Sequence, residues 1–389
     1  MRKGWEYKKL GEVCTIERGG SPRPINDYRT DSEDGINWIK IGDAQEGSKY
    51  ITSTKEKIKP EGVKKSRFVH KGDFILSNSM SFGRPYILKV DGCIHDGWLV
   101  IHDNNDIFIK DYLYYLLANP TMYAKFSQLA VGGVVNNLNS SLVRKVEITI
   151  PPKSTQLAIV SELDKINELI RLKKEQLKDF DNLTQSLFYE MFGDPVENEK
   201  GWEVKKLKDI SREIGDGLHG TPEYSEVDTG CYFINGNNLE NGTIVIKENT
   251  KMVSEKTKTK HYIEMDDFTI LVSINGTLGK VAFYNGENVI LGKSACYIKL
   301  EAYNDKKYIF ELLKSDYFKR CAESECTGTT IRNVSLKSMR NFRCPLPPLP
   351  LQRLFAQRIE QIEREKSEVL KSIQDLETLL ASRMQYWFE

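Results

Sequence analysis

A chain of 389 residues is too long for one ordinary core, and 40% apolar with 29% charged residues is the composition of a globular protein of two or three domains. A net charge of +1 excludes a uniformly basic nucleic-acid binder, so any electrostatic footprint must be local. No run approaches the roughly 20 apolar residues of a membrane span. Met1-Arg2-Lys3-Gly4-Trp5 lacks the apolar stretch of a secretory leader, and the seven cysteines are scattered without a C-x-x-C pair. Reduced thiols, a cytoplasmic location and no membrane association are expected.

In chain order the sequence is written twice. Gly4-Trp5-Glu6-Tyr7-Lys8-Lys9-Leu10 opens the first copy and Gly201-Trp202-Glu203-Val204-Lys205-Lys206-Leu207 the second. Each reaches a glycine-rich loop, Arg18–Pro24 and Asp216–Pro222, where glycine and proline fix an unusual backbone path. A short strand-like run ending in a polar turn follows, Ile36–Asp43 and Cys231–Asn238. The β-rich runs Asp73–Ser77 and Asp267–Ser273 come next, then the loops Ser77–Arg84 and Ser273–Lys280. Amphipathic helices are predicted at Tyr112–Ala118 and Tyr308–Leu313, and a last pair of glycine loops at Gly132–Asn137 and Thr327–Asn333. Ser77 and Ser273, Gly132 and Gly328, and Asn137 and Asn333 are all 196 positions apart. Matched features that differ in kind yet keep their order mark a duplication.

Pro151-Pro152 and Pro345–Pro350 close the globular units and lead into long helices. Over Gln156–Phe192 the apolar positions Ile159, Leu163, Ile166, Ile170, Leu177, Phe180 and Leu187 fall alternately four and three apart, with one break at Lys173. Over Gln352–Phe388 the seam is Phe355, Ile359, Ile362, Val369, Ile373, Leu376 and Leu380, with Lys366 as its charged position. A helix of roughly 37 residues is about 55 Å long and cannot bury a seam alone. Its cheapest partner is its own copy. The predicted fold is α+β, with two β-rich domains alternating with two long α-helices that pair as an antiparallel coiled coil in a pseudo-twofold internal repeat. The predicted boundaries are 1–150 for the first domain, 151–192 for the first helix, 193–200 for a linker, 201–345 for the second domain and 346–389 for the second helix.

No catalytic kit is visible. Gly276-Thr277-Leu278-Gly279-Lys280 has two residues between its glycines where a phosphate-binding loop needs four. Asn119-Pro120-Thr121-Met122 lacks the second proline and the aromatic of a methyltransferase motif. Of the five histidines, only His95-Asp96 near His102 offers a metal or acid/base group; the alternative is loop or core histidines. The glycine loops carry more. Loops of Gly, Ser, Thr, Asn, Arg and Lys approach DNA closely, their amides and hydroxyls meeting phosphates while Arg, Lys and Asn read base edges. For one such loop an ordinary turn is the simpler reading, but recurrence at matched positions reverses it. Lys55–Lys65 and Lys256–Lys260 are either phosphate-facing or solvated faces.

The Gly-Trp…Lys-Lys-Leu openings, the acidic turn before Ile-Leu-Ser, the Gly-Thr-Thr-type loop, and the Pro-Pro then Gln entry to a helix ending in Met191-Phe192 or Trp387-Phe388 together carry a likeness. The chain resembles the specificity (S) subunit of type I restriction–modification enzymes over essentially its whole length. The resemblance implies two target recognition domains, each reading one half of a bipartite, asymmetric site on double-stranded DNA. It further implies helices that act as a spacer and dock two methyltransferase (M) subunits, with restriction (R) subunits joining for cleavage. Adenine-N6 methylation and ATP-dependent cleavage would belong to those partners, leaving this chain without catalytic residues, cofactor or metal. The DNA-binding residues are then expected to be Arg18, Gly19, Gly20, Ser21, Arg23, Lys40, Ser77, Asn78, Ser79, Arg84, Asn136 and Asn137 in the first half. In the second half they are Asp216, His219, Thr221, Asn235, Asn237, Asn238, Ser273, Asn275, Thr277, Lys280, Thr329, Thr330, Arg332 and Asn333. The first domain departs from the second at Gly132-Gly133-Val134, where the second has Gly328-Thr329-Thr330. The rival reading is a coiled-coil interaction scaffold without DNA specificity.

Overall fold

Uninterrupted apolar runs such as Phe74–Ser77 and Thr269–Ser273 form strands buried on both faces, so they lack the alternation of a half-exposed strand. The computed structural model describes residues 2–45, 47–79, 82–130, 138–324 and 333–389. Asn136, Asn137, Thr329, Thr330 and Arg332 therefore lie outside the described residues. The chain divides into two units, Met1–Lys174 with Lys371–Glu389, and Glu175–Leu370.

In the first unit a five-stranded sheet runs in the order Cys14–Arg18, Trp98–Asp103, Phe74–Ser77, Pro85–Leu88, Tyr50–Ile51. A second five-stranded sheet pairs Ile36–Ile39 in parallel with Gly92–Ile94. Glu6–Lys9 closes the domain antiparallel to Glu147–Ile150. The second unit repeats this plan with Ser211–Asp216, Ala295–Leu300, Thr269–Ser273 and Val281–Phe283 in one sheet. Tyr232–Ile234 runs parallel to Val289–Leu291, and Glu203–Lys206 pairs with Arg343–Leu346. The amphipathic helices occupy Lys110–Ala118 and Lys306–Lys314. Each is followed by a second helix outside the elements expected from the sequence, Pro120–Ala130 and Asp316–Ser324.

The long helices span Lys153–Phe192 and Leu349–Phe388, 40 residues each. Both begin three residues ahead of the expected Gln156 and Gln352. A proline is compatible with the first helical turn, where its missing N–H costs nothing, so the proline segment runs straight into the helix. Ile159, Leu163, Ile166, Ile170, Leu187, Phe355, Ile359, Ile362, Val369 and Ile373 are buried, and Leu177, Phe180, Leu376 and Leu380 half-buried. The helices run antiparallel. In the first unit Glu162 pairs with Arg383 and Lys174 Nζ lies 2.8 Å from Glu377 Oε1. In the second unit Lys366 Nζ lies 2.6 Å from Asp181 Oδ1, so the charged seam position is answered from the facing helix.

One buried glutamine anchors each helix to its domain. Gln156 Oε1 accepts from Ile109 N at 2.8 Å, and its amide donates to Ile107 O at 3.1 Å and Pro151 O at 3.0 Å. Gln352, 196 residues on, accepts from Asp305 N at 3.0 Å and donates to Pro347 O at 2.8 Å. Gln156→Ala strands these backbone groups without partners and is expected to cost roughly 1–3 kcal/mol in urea unfolding. A loss below about 0.5 kcal/mol would mean that water replaces the amide without penalty.

Candidate nucleic-acid interface

Each first loop is pressed onto the turn that enters its central sheet. Gly19 N donates to Trp98 O at 2.9 Å and Gly20 N to Ile94 O at 3.1 Å. In the second half Leu218 N donates to Leu291 O at 2.7 Å and Lys293 N to Leu218 O at 3.1 Å. The approach requires glycine, because a Cβ at Gly19 would lie 2.3 Å from His95 O and one at Gly217 only 2.0 Å from Leu291 O.

The hairpins are built alike. Ser77 Oγ accepts from Arg84 N at 3.0 Å, and Ser273 Oγ accepts from Lys280 N at 3.0 Å and donates to Thr277 O. Gly83 and Gly279 take positive φ of 77° and 74° to close them. Gly276–Lys280 is thus a hairpin turn and not a phosphate cradle. Ser77, Asn78, Asn238 and Ser273 are buried, so these selected residues shape the loops from within. Asn238 in particular accepts from Asn235 N at 3.0 Å and donates to Val245 O at 2.9 Å.

Arg18, Arg23, Arg84, His219, Thr221, Asn237, Thr277 and Asn333 are exposed, and Gly19, Gly20, Ser21, Lys40, Ser79, Asp216, Asn235, Asn275 and Lys280 half-buried. Two of the lysines are engaged within their domains. Lys40 Nζ lies 2.6 Å from Glu56 Oε1, and its hydrogen bond, against the opposing effect of burial, holds the Glu56 carboxyl below the usual range. Lys280 lies 3.7 Å from Glu240 Oε1. In the lysine-rich stretches, Lys59 donates to Asp27 O at 2.7 Å and Lys65 to the Tyr28 hydroxyl at 2.6 Å, while Lys256 lies 3.7 Å from Glu223. These contacts brace neighbouring loops.

In the second domain Asp216, His219, Asn275 and Asn333, one or more from each of the three selected loops, line one concavity of about 400 Å³. His219 Nε2 lies 2.8 Å from Asp216 Oδ2, and Asn275 faces Asn333 across an antiparallel bridge. Lys293 and Ser335 also line it and lie outside the set expected from the sequence. Lys293 was findable, since its turn aligns with the one carrying His95-Asp96. There, His95 Nδ1 accepts from Gly97 N at 3.0 Å, which leaves Nε2 to carry the proton toward Asp96 Oδ1 at 2.9 Å. Burial pushes the His95 pKa down, against the pull of Asp96, in keeping with a neutral ring. His102 lies further along its strand, opposite Thr15. Among the described residues no group of three or more His, Cys, Asp or Glu is placed to hold a metal ion. Asn119, preceding Pro120, accepts from Met122 N at 2.8 Å and starts a helix, which accounts for the Asn-Pro pair.

A family model described as type I restriction modification DNA specificity domain matches the chain twice, over residues 2–179 and 199–378. The type I restriction enzyme MjaIX specificity subunit of Methanocaldococcus jannaschii is 25% identical, over 96% of this chain and 91% of its own. The type I restriction enzyme EcoKI specificity subunit of Escherichia coli is 20% identical over 93% and 82% respectively. Among solved structures, a chain from work on complex assembly and conformational transition of the type I R-M system aligns with a TM-score of 0.68, at 17% identity, over 100% of this chain and 98% of that one. That last likeness is one of fold. Matched twice and along nearly its whole length, the chain belongs to the type I restriction modification DNA specificity family and carries the specificity domain in duplicate.

Proposed function

We propose that this chain is the DNA-recognition subunit of a type I restriction–modification complex, in which each domain reads one block of a bipartite, asymmetric site. The observation that carries the reading is a repeated framework with unrepeated tips. Equivalent strands end in equivalent hairpins, yet Asn78-Ser79 stands in one where Ile274-Asn275 stands in the other. A scaffold would have no use for polar loops held in register and allowed to differ. Arg18, Arg23, Arg84, His219, Thr221, Asn237, Thr277 and Asn333 are the exposed residues proposed to meet DNA. The paired helices dock two methyltransferase subunits, restriction subunits complete the complex in the cytoplasm, and adenine-N6 methylation and ATP-driven cleavage are the partners' work.

The test is methylation mapping in a methylation-free host that co-expresses this chain with its methyltransferase subunit. A split motif is expected, two specific blocks around a fixed gap. Replacing residues 201–345 with the corresponding domain of a relative should rewrite one block and leave the other intact. An active, assembled complex that wrote no such motif would favour the scaffold.

A further inference from the structure

An acidic side chain on a face that meets a polyanion needs a reason, and the turn between strands Gly92–Ile94 and Trp98–Asp103 presents one. Asp96 is about a quarter exposed, at 27% of its side chain. Its Oδ1 accepts from Ser21 Oγ at 2.9 Å and faces His95 Nε2 at 2.9 Å, while Oδ2 lies 3.6 Å from Arg23 Nη2. Its backbone carbonyl accepts from Arg18 Nε at 2.9 Å and from the buried Asn78 Nδ2 at 3.1 Å. The neighbouring His95 N donates to Ile39 O at 3.0 Å. One short turn therefore holds the glycine loop, the hairpin root and the end of strand Ile36–Ile39.

We propose that Asp96 is the positioning residue of the first recognition domain, holding Arg18, Ser21 and Arg23 as one array toward DNA and fixing the reading of one block through them. This rests on the DNA-recognition reading given above. Both carboxylate oxygens are turned to protein partners, so Asp96 is spent on the loop and not on a base. Burial alone would raise its carboxyl pKa, but the Ser21 hydrogen bond, the facing His95 ring and the charges of Arg18 and Arg23 outweigh it and hold the group below the usual range, ionised. Two like-charged guanidiniums and a hydroxyl on one exposed stretch would otherwise disperse, and a fixed anion beneath them orders the side chains before DNA arrives.

In the second domain Lys293 stands two residues before strand Ala295–Leu300, where Asp96 stands before strand Trp98–Asp103, so no carboxylate occupies that turn. At the equivalent turn Ser294 Oγ accepts from Gly236 N at 2.9 Å and lies 3.0 Å from Asn235 Oδ1, and Ser294 O accepts from Ile274 N at 3.0 Å. Removing the Asp96 charge should accordingly be felt in one block only.

The experiment uses the assembled complex with its methyltransferase subunits, reading kcat/KM for methylation on duplexes altered in either block, and its dependence on salt. Asp96→Asn keeps the shape and the backbone bonds and is expected to lower kcat/KM about tenfold. The specificity of the block that also responds to Arg18→Ala should relax, with the other block unchanged. The salt slope should fall by about one, as a phosphate contact is lost. In an Arg18→Ala/Arg23→Ala background, adding Asp96→Asn should change nothing further, because its effect passes through those side chains. Should Asp96→Asn fail to assemble, Ser21→Ala, which removes one hydrogen bond, is read in the same way. Additive losses, or equal losses in both blocks, would mark a merely structural role and overturn the inference, as would an unchanged motif at normal rate. A wild-type complex that writes no split motif sinks the recognition reading itself and this inference with it.

Discussion

Phe355→Ala is expected to lower the unfolding free energy of the second unit by about 3–5 kcal/mol, as large truncations in closed cores do. Phe355 is fully buried where the second long helix leaves its proline entry. Its ring centroid lies 5.8 Å from Phe188 and 5.2 Å from Phe192, and those two lie 5.7 Å and 4.7 Å from Tyr308. Tyr308 is itself fixed by its hydroxyl, which donates to Pro345 O at 2.6 Å. Four rings thus lock together, and deletion of one leaves a void whose walls are held from outside and cannot collapse to fill it. Urea unfolding reads the loss directly, with Leu370→Ala as a comparison at an exposed seam flank, expected within about 0.5 kcal/mol. A loss under about 1.5 kcal/mol at Phe355 would show that the cluster repacks.

Gly217→Ala should abolish one block of the methylated motif while sparing the other, and Gly19→Ala should do the reverse. The new methyl at position 217 would meet Leu291 O at 2.0 Å and its carbonyl carbon at 2.1 Å, both backbone atoms with no rotamer to move aside. The loop must lift off the turn, breaking the bond from Leu218 N. Strain of this kind costs about 1–3 kcal/mol in stability. The greater effect is on recognition, since a misplacement near 1 Å can reduce rate roughly 100-fold. Methylome sequencing of the two variants reads both blocks at once. A complete motif written by either would show that its loop is not a reader.

Much of this architecture is legible in the residues because it is periodic or duplicated. The seams follow a helical rhythm, and the recurrence at 196 aligns the two hairpins. What stayed hidden depends on distance along the chain. Nothing in Ile36–Ile39 announces that it lies parallel to Gly92–Ile94, because a buried strand looks the same whichever neighbour it takes. The burial of Ser77, Asn78, Asn238 and Ser273 is not legible in the sequence for a related reason. A polar side chain in a turn suits solvent, but it also suits the backbone groups that a tight hairpin leaves unpaired. Asp96 attracted notice only as a partner for a metal or a proton, whereas its contacts gather a loop from 75 residues earlier in the chain.

The helix pairing also bears on how the two copies are free to diverge. Phe188 and Phe192 belong by sequence to the first repeat but sit in the core of the second unit, against Tyr308 and Phe355. Met384, Trp387 and Phe388 belong to the second repeat but pack into the first unit. A substitution at such a position is therefore screened by the other copy's domain, and its compensating change is to be sought there, at pairs such as Phe188 with Phe355 or Glu162 with Arg383. The loop tips face no such cross-examination. After duplication the tips could drift into two different readers, while each helix remained answerable to its sibling's core.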